Sequence, residues 1–404
     1  MVETLEKPLG QVGSSGPAKT LRVAMYASPL RSICTPTGVG QHIAHMAHEL
    51  AEQDGVSLSV IATQSDFDQA KPHLEGRLGH VPLHVLPNHE RLLRAALIST
   101  NFLTIDRWCG NVDWIYSPKE QPVATRRARL AVTVHDVLPF EKSIAGVTRS
   151  YSRSTALRWK LLMRRITERA DLIATVSEFT RRRLIELLKL RDEDRIVVIG
   201  NGVGEEYFEP RRTDDAELLR RHRLETGGYL MSVGSLTFRK GGDLLLELAR
   251  EFHARMEPWR IVVTGRRHDA ELLAKYNAIR AEIPQLPLDL TGYISDLEQA
   301  TLLRNASALV FPSRYEGFGI PVLEAMAAGT PVLCMRTSAL PEVAGDAALF
   351  IDGDDVHEWH AQLERLAASE ADRAALVEAG RNRAGAFTWN RCAARLVSAM
   401  TERS

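Results

Sequence analysis

Thirteen short apolar runs recur along the chain, separated by polar, turn-forming or helical stretches. Seven lie in the first half, at 21–27, 57–63, 81–86, 114–117, 130–136, 172–177 and 195–203. Six lie in the second, at 229–235, 259–265, 288–293, 307–313, 331–335 and 348–352. They are near-continuously apolar rather than alternating, the pattern of parallel strands covered on both faces. Stretches of helical period fall between them, among them 37–53, 178–190, 241–256, 296–304 and 320–328. Repeated strand–helix–strand units predict a doubly wound α/β architecture. The series restarts after the polar segment 205–222, which places a boundary near residue 205. The expected organisation is a disordered tail over 1–20, one Rossmann-like domain over 21–205, a second over 206–386, and a final helix over 387–404. Two such domains would face a central cleft. Ligands of open α/β sheets bind outside the carboxyl ends of the strands, so the loops that follow strands are where chemistry is expected.

Composition narrows the class. At 404 residues, 45% apolar and 25% charged, the chain has the mix of a soluble globular protein of two or three domains. Its four cysteines, Cys34, Cys109, Cys334 and Cys392, are far apart and form no C-x-x-C. That argues against a zinc site or a disulfide framework and fits a reducing compartment. No apolar run approaches the roughly 18 residues of a membrane span. The first twenty residues lack the apolar core of a signal peptide, so the cytoplasm is the expected location.

Charge adds one question. The net charge is zero, yet residues 1–200 hold 27 basic and 21 acidic side chains and the remainder 24 and 30. Solvated helix faces would give this, and so would a first half that meets phosphate headgroups. The basic segment 149–170 carries Leu157, Leu161, Leu162 and Ile166 at helical spacing. It reads either as a packed helix with a basic face or as a surface resting on anionic lipid at the inner face of the cytoplasmic membrane. No nucleic-acid partner is expected.

Four loops carry candidate chemistry. Gly38 and Gly40 open a helix after the first strand, where main-chain N–H groups can approach an anion. The spacing is not G-x-G-x-x-G, and an ordinary helix-start turn would look the same. His135 ends the strand at 130–136, where an imidazole can bond a sugar hydroxyl, do acid–base work, or serve structure. Arg239 and Lys240 precede Gly241 and an apolar helix. Cations at a helix N-terminus are unfavourable unless an anion joins them, which suits a diphosphate. Last comes "SRYEGFGIPVLEAMAAGTPVL", residues 313–333, with Glu316 and Glu324 on either side of a Gly317–Gly319 bend. Pro321 suits a first helical turn. Glu324 falls among apolar neighbours, and a buried carboxylate needs donors; a vicinal diol supplies two. The amides of Phe318 and Gly319 can face an anion or a sugar oxygen. The pair fits a polyhydroxyl ligand lying across the bend.

That stretch resembles the E-x(7)-E motif of retaining glycosyltransferase family 4, which has the GT-B fold. "TGVGQHIAHMAHELAEQ", "TVHDVLPF", "ATVSEFTRRRL", "VIGNGV", "VGSLTFRKGG", "TGYISDLE" and "LPEVAGDAALFID" are similar to further family stretches, in the family's order. The resemblance implies that Glu324 binds the ribose of a nucleotide sugar and Glu316 the transferred hexose. It implies that Phe318, Gly319 and Ile320 line the sugar and diphosphate, and that Arg239 and Lys240 neutralise the leaving group. Gly40 would meet the diphosphate, His135 the outer sugar hydroxyls, and the main chain near Tyr293 the base. Many members carry Arg where this chain has Ser235; the variant that keeps an Arg-Lys pair is common among mannosyltransferases of surface polysaccharides. GDP-mannose is therefore the expected donor and a glycan or lipid-linked oligosaccharide the expected acceptor. A UDP-sugar enzyme of the same fold is the alternative, followed by a nucleotide-sugar epimerase or a non-catalytic binder. A nicotinamide enzyme would need a glycine fingerprint and an acidic residue roughly 20 positions on, and neither half shows both. The D-x-D in "DGDD", 352–355, reads as a solvated loop rather than a metal site, and no metal or other cofactor is expected.

Overall fold

The computed structural model describes residues 20–26, 37–64, 81–86, 104–141 and 153–404. Positions 1–19 of the expected tail and the start of the basic segment lie outside the described residues. Two compact units emerge. Of the described residues, those up to Glu141, those from Arg153 to Gly202 and Thr388–Ser404 form the first; Val203–Phe387 form the second.

The first unit holds β1 (Leu21–Tyr26), α1 (Gly38–Glu52), β2 (Val56–Thr63), β3 (Leu83–Leu86), β4 (Trp114–Ser117), β5 (Arg129–Val134), α2 (Arg153–Arg169), β6 (Leu172–Thr175), α3 (Glu178–Leu188) and β7 (Ile196–Val198). The second holds α4 (Asp215–His222), β8 (Tyr229–Ser232), α5 (Gly242–Arg255), β9 (Arg260–Thr264), α6 (Ala270–Glu282), β10 (Leu288–Gly292), α7 (Asp296–Asn305), β11 (Ala308–Phe311), α8 (Ile320–Ala327), β12 (Val332–Met335), α9 (Leu340–Ala344), β13 (Leu349–Ile351), α10 (Val356–Ala368) and α11 (Glu370–Gly385). The last helix, α12 (Trp389–Thr401), packs on α1, with the Trp389 ring stacked on His45. Each of the thirteen apolar runs overlaps one strand. The sheets run β3-β2-β1-β4-β5-β6-β7 and β10-β9-β8-β11-β12-β13, and all their pairings are parallel. The order reverses at β1/β4 in one sheet and β8/β11 in the other, where ligand crevices open in such sheets.

The expected strand at 195–203 is shorter in the structure. Pairing ends at Val198 because its partner β6 ends at Thr175. The expected apolar stripe of α2 splits. Ile166 is buried and Leu162 packs on the core, whereas Leu157 and Leu161 are 59% and 58% exposed.

Segment 205–222, polar in sequence, is anchored by buried groups. Asp215 accepts from Arg304 Nε and Nη2, both at 2.8 Å, and from Asn305 Nδ2 at 2.9 Å. Burial pushes the Asp215 carboxyl up, and these donors outweigh it and hold it below the ordinary range. Removing one partner would leave the other charge buried. Asp215→Ala is expected to cost about 3–5 kcal/mol, read as a lower urea midpoint.

Candidate active site

The loop from β8 to α5 is clamped from outside. Arg314, 9% exposed, donates to the Phe238 carbonyl at 2.6 Å and holds Asp243 through two bonds of 2.7 and 2.9 Å. The Arg314 amide also donates to the Arg239 carbonyl at 2.9 Å. The loop therefore has a fixed path, and it delivers Arg239 and Lys240 to one carboxylate. Lys240 Nζ lies 2.6 Å and Arg239 Nη1 3.1 Å from Glu316 Oε1. The Ser313 hydroxyl donates to the same oxygen, and the Glu316 amide donates to Ser338 Oγ at 2.9 Å. The anion that two cations demand at a helix start is thus Glu316 itself. Burial alone would push the Glu316 carboxyl up; Lys240, Arg239 and Ser313 overcome it and hold it at about 2. Burial acts the opposite way on Lys240, lowering it, with Glu316 opposing.

A depressed carboxylate pKa stabilises the fold above the ordinary value of 4.5, and the contribution fades as pH falls toward about 2. The stability gap between wild type and Glu316→Gln is therefore expected to be flat from about pH 8 to about pH 5 and to narrow below. Urea midpoints across that range would read it.

The bend places Gly319 at φ +108° as the residue that opens α8, a conformation that favours glycine. Among the described residues the Phe318 and Gly319 amides have no acceptor. The Phe318 and Ile320 side chains are buried, so these positions offer main chain rather than side chain to a ligand. Glu324, on the same helix, is 2% exposed. Its Oε2 accepts from Gln299 Nε2 at 2.8 Å, and that nitrogen also contacts the Tyr207 hydroxyl at 3.0 Å. Burial, then the Glu324 charge, pushes the Tyr207 hydroxyl well up, so it stays protonated. Ser235 Oγ accepts from the Arg267 amide at 2.9 Å, which ties its loop to the loop after β9. Tyr293, after β10, is 43% exposed.

In the first unit, His135 is buried, and its Nε2 lies 2.8 Å from the Pro118 carbonyl. A carbonyl only accepts, so Nε2 carries the proton and Nδ1 the lone pair. Burial lowers the His135 pKa, which favours the neutral ring. The His42 ring packs against it at a right angle, with the two ring centroids 4.7 Å apart. Gly38 is exposed at the start of α1. Gly40 is buried, and its amide is taken up by Thr37 Oγ1 at 3.1 Å, so its N–H does not face an anion here.

The carboxylates of 352–355 disperse: Asp352 pairs with Arg336, Asp354 with Arg314, and Asp355 caps α10. Among the described residues, Glu257, His360 and Glu364 lie close enough to suggest a cation. Their geometry is that of a clamped ring, since Nε2 faces Glu257 at 3.5 Å and Nδ1 faces Glu364 at 3.4 Å.

The partners Gln299, Tyr207, Ser313, Ser338 and Arg314 were not legible in the sequence. Single polar residues on predicted helices and loops carry no spacing signal.

Two family profiles match the chain, "Glycosyltransferase Family 4" over residues 36–207 and "Glycosyl transferases group 1" over residues 213–383. Between them the two profiles span most of the chain, which is a glycosyltransferase similar to family 4. The O-antigen chain mannosyltransferase B of Escherichia coli is 28% identical over 376 residues, 90% of this chain and 95% of that one. A GDP-mannose-dependent alpha-(1-6)-phosphatidylinositol dimannoside mannosyltransferase of Mycobacterium tuberculosis is 32% identical over 208 residues, 50% of this chain and 51% of that one. Among solved structures, Anabaena HepE in complex with UDP and glucose aligns with a TM-score of 0.68 at 14% identity, covering 95% of this chain and 100% of that one. WaaG, a glycosyltransferase involved in lipopolysaccharide biosynthesis, aligns with a TM-score of 0.60 at 15% identity, covering 94% and 99%. This family 4-like glycosyltransferase is mannosyltransferase-like, and its two Rossmann-like units have the GT-B fold. Among its described residues no helix is long and apolar enough to cross a membrane.

Proposed function

We propose that the chain is a retaining mannosyltransferase that needs no metal and moves mannose from GDP-mannose to a glycan or lipid-linked acceptor in surface polysaccharide synthesis. The observation that carries this reading is the Arg239–Lys240–Glu316 cluster beside the amides of Phe318 and Gly319, which have no acceptor among the described residues. Two cations and a helix start can take the charge that gathers on a departing diphosphate, as a preorganised electrostatic site does. The C1–phosphate bond breaks with its electron pair going to the diphosphate. The acceptor hydroxyl oxygen bonds C1 on the same face as its proton passes to the departing diphosphate oxygen, which keeps the anomeric configuration. Glu324, oriented by Gln299, takes the ribose diol, and Glu316 takes hydroxyls of the hexose. Neutral His135 has its Nδ1 lone pair to accept from a sugar hydroxyl. The mannose assignment is supported by the names of the relatives. The test is transfer of label from GDP-mannose into a lipid extract, with NMR of the new linkage. An α-linked product supports the reading; transfer from UDP-glucose instead, or a β-linked product, overturns it.

A lipid-facing role is proposed for α2. Its outer face exposes Leu157 and Leu161 beside Arg158, Arg164 and Arg165. Apolar and cationic groups on one helix face suit anionic headgroups. The full chain is expected to bind phosphatidylglycerol vesicles at low salt and to lose most of that binding in Leu157→Ser/Leu161→Ser. Binding unchanged in the double variant would remove the role.

A further inference from the structure

Resting on the GDP-sugar reading above, we propose that Arg266 reads the base of the donor, its guanidinium meeting the O6 and N7 edge of guanine. Arg266 and Tyr293 are among the first residues beyond β9 and β10, at the carboxyl edge of the second sheet. The guanidinium carbon stands 5.0 Å from the centroid of the Tyr293 ring. Both side chains are exposed, and among the described residues Arg266 has no hydrogen-bond acceptor or carboxylate partner. A planar fork of N–H donors is thus held in place on an aromatic face with its donors unspent.

Its position ties it to the rest of the site. At Gly265 (φ +102°) a Cβ would come within 2.6 Å of Ser235 Oγ. The loop after β9 is therefore pressed onto the loop that carries Arg239 and Lys240. The Gly265 amide donates to the Gly292 carbonyl at 2.7 Å, which joins the ends of β9 and β10. Tyr293 leads directly into α7, and α7 holds Glu324 through Gln299. The carboxylate assigned to ribose and the Arg266–Tyr293 stack are thereby linked by one short connection. A nucleoside with its ribose at Glu324 would extend its base toward that connection.

The chemistry selects among bases. Guanine offers two adjacent acceptors, O6 and N7, that match a guanidinium fork. Adenine replaces one of them with an N6 donor, which faces the fork as a like partner. Uracil has no such adjacent pair. A good bidentate contact discriminates by roughly 10- to 100-fold.

Calorimetric titration of the full chain with GDP, IDP, ADP and UDP tests this on wild type, Arg266→Gln and Arg266→Lys. IDP keeps O6 and N7 and lacks only the 2-amino group. GDP and IDP are expected to bind alike, with ADP and UDP at least roughly tenfold weaker. Both variants should lose roughly tenfold or more for GDP and IDP and change less than about threefold for UDP. Thermal melting checks that the variants fold. Wild-type GDP affinity in Arg266→Gln would overturn the role of Arg266 and leave the GDP-sugar reading intact. GDP affinity kept by Arg266→Lys would reduce the role to charge and overturn the edge reading, as would IDP binding far weaker than GDP. A wild type that prefers UDP would overturn the GDP-sugar reading itself, and the base assignment with it.

Discussion

Glu324→Ala is expected to weaken GDP-mannose binding by about 100-fold or more. The carboxylate is 2% exposed, and on this account it is the acceptor for both ribose hydroxyls. A hydrogen bond to a charged group contributes about 1.5–3 kcal/mol, and two are lost together. The variant also leaves Gln299 without its 2.8 Å acceptor, so a slackened α7 adds to the loss. Glu324→Gln separates the two effects. It fills the same volume but offers one acceptor oxygen in place of two, and about tenfold weakening is expected. Titration calorimetry reads both. Wild-type affinity in both variants would remove the ribose role.

Lys240→Ala is expected to lower kcat by about 100- to 1,000-fold while KM moves less than about fivefold. Charge on the diphosphate is greatest in the transition state, so a cation placed there contributes more to turnover than to ground-state binding. Arg239, 35% exposed on its side chain, remains to hold the donor. Glu316→Gln is the complementary case. It removes the internal anion that both cations share, so GDP should bind at least as tightly while turnover falls. Single-turnover kinetics with saturating donor would separate the two steps. A Lys240→Ala enzyme with high KM and normal kcat would place the lysine in ground-state binding alone.

Much of the architecture was legible in the sequence because buried parallel strands leave an uninterrupted apolar signature. Val332–Met335 and Ala308–Phe311 could be read directly. Strand ends were less legible, as at Val198, because pairing stops where the neighbouring strand stops rather than where apolar residues run out. The site was legible in its residue types. Two cations at a helix start and two carboxylates flanking a glycine bend are locally costly, and that cost is the signal. Their partnership was not legible. Nothing in the spacing says that Glu316, 76 positions beyond Lys240, supplies the missing anion. Nor could Tyr207 and Asp215 be recognised as buried within a segment that reads as polar, since their burial depends on Gln299 and Arg304 far along the chain. The leucines of α2 stayed open in the sequence for a related reason. Helical period shows that a stripe exists, and tertiary contact decides how much of it is covered.

The most direct test of the central claim is a thermal-shift panel of GDP, UDP, ADP and dTDP with their common sugars, on wild type and Glu324→Ala. Stabilisation of the wild type by GDP and GDP-mannose above the others, lost in Glu324→Ala, is the predicted result. Stabilisation by UDP-sugars instead, or an equal response in the variant, would contradict it.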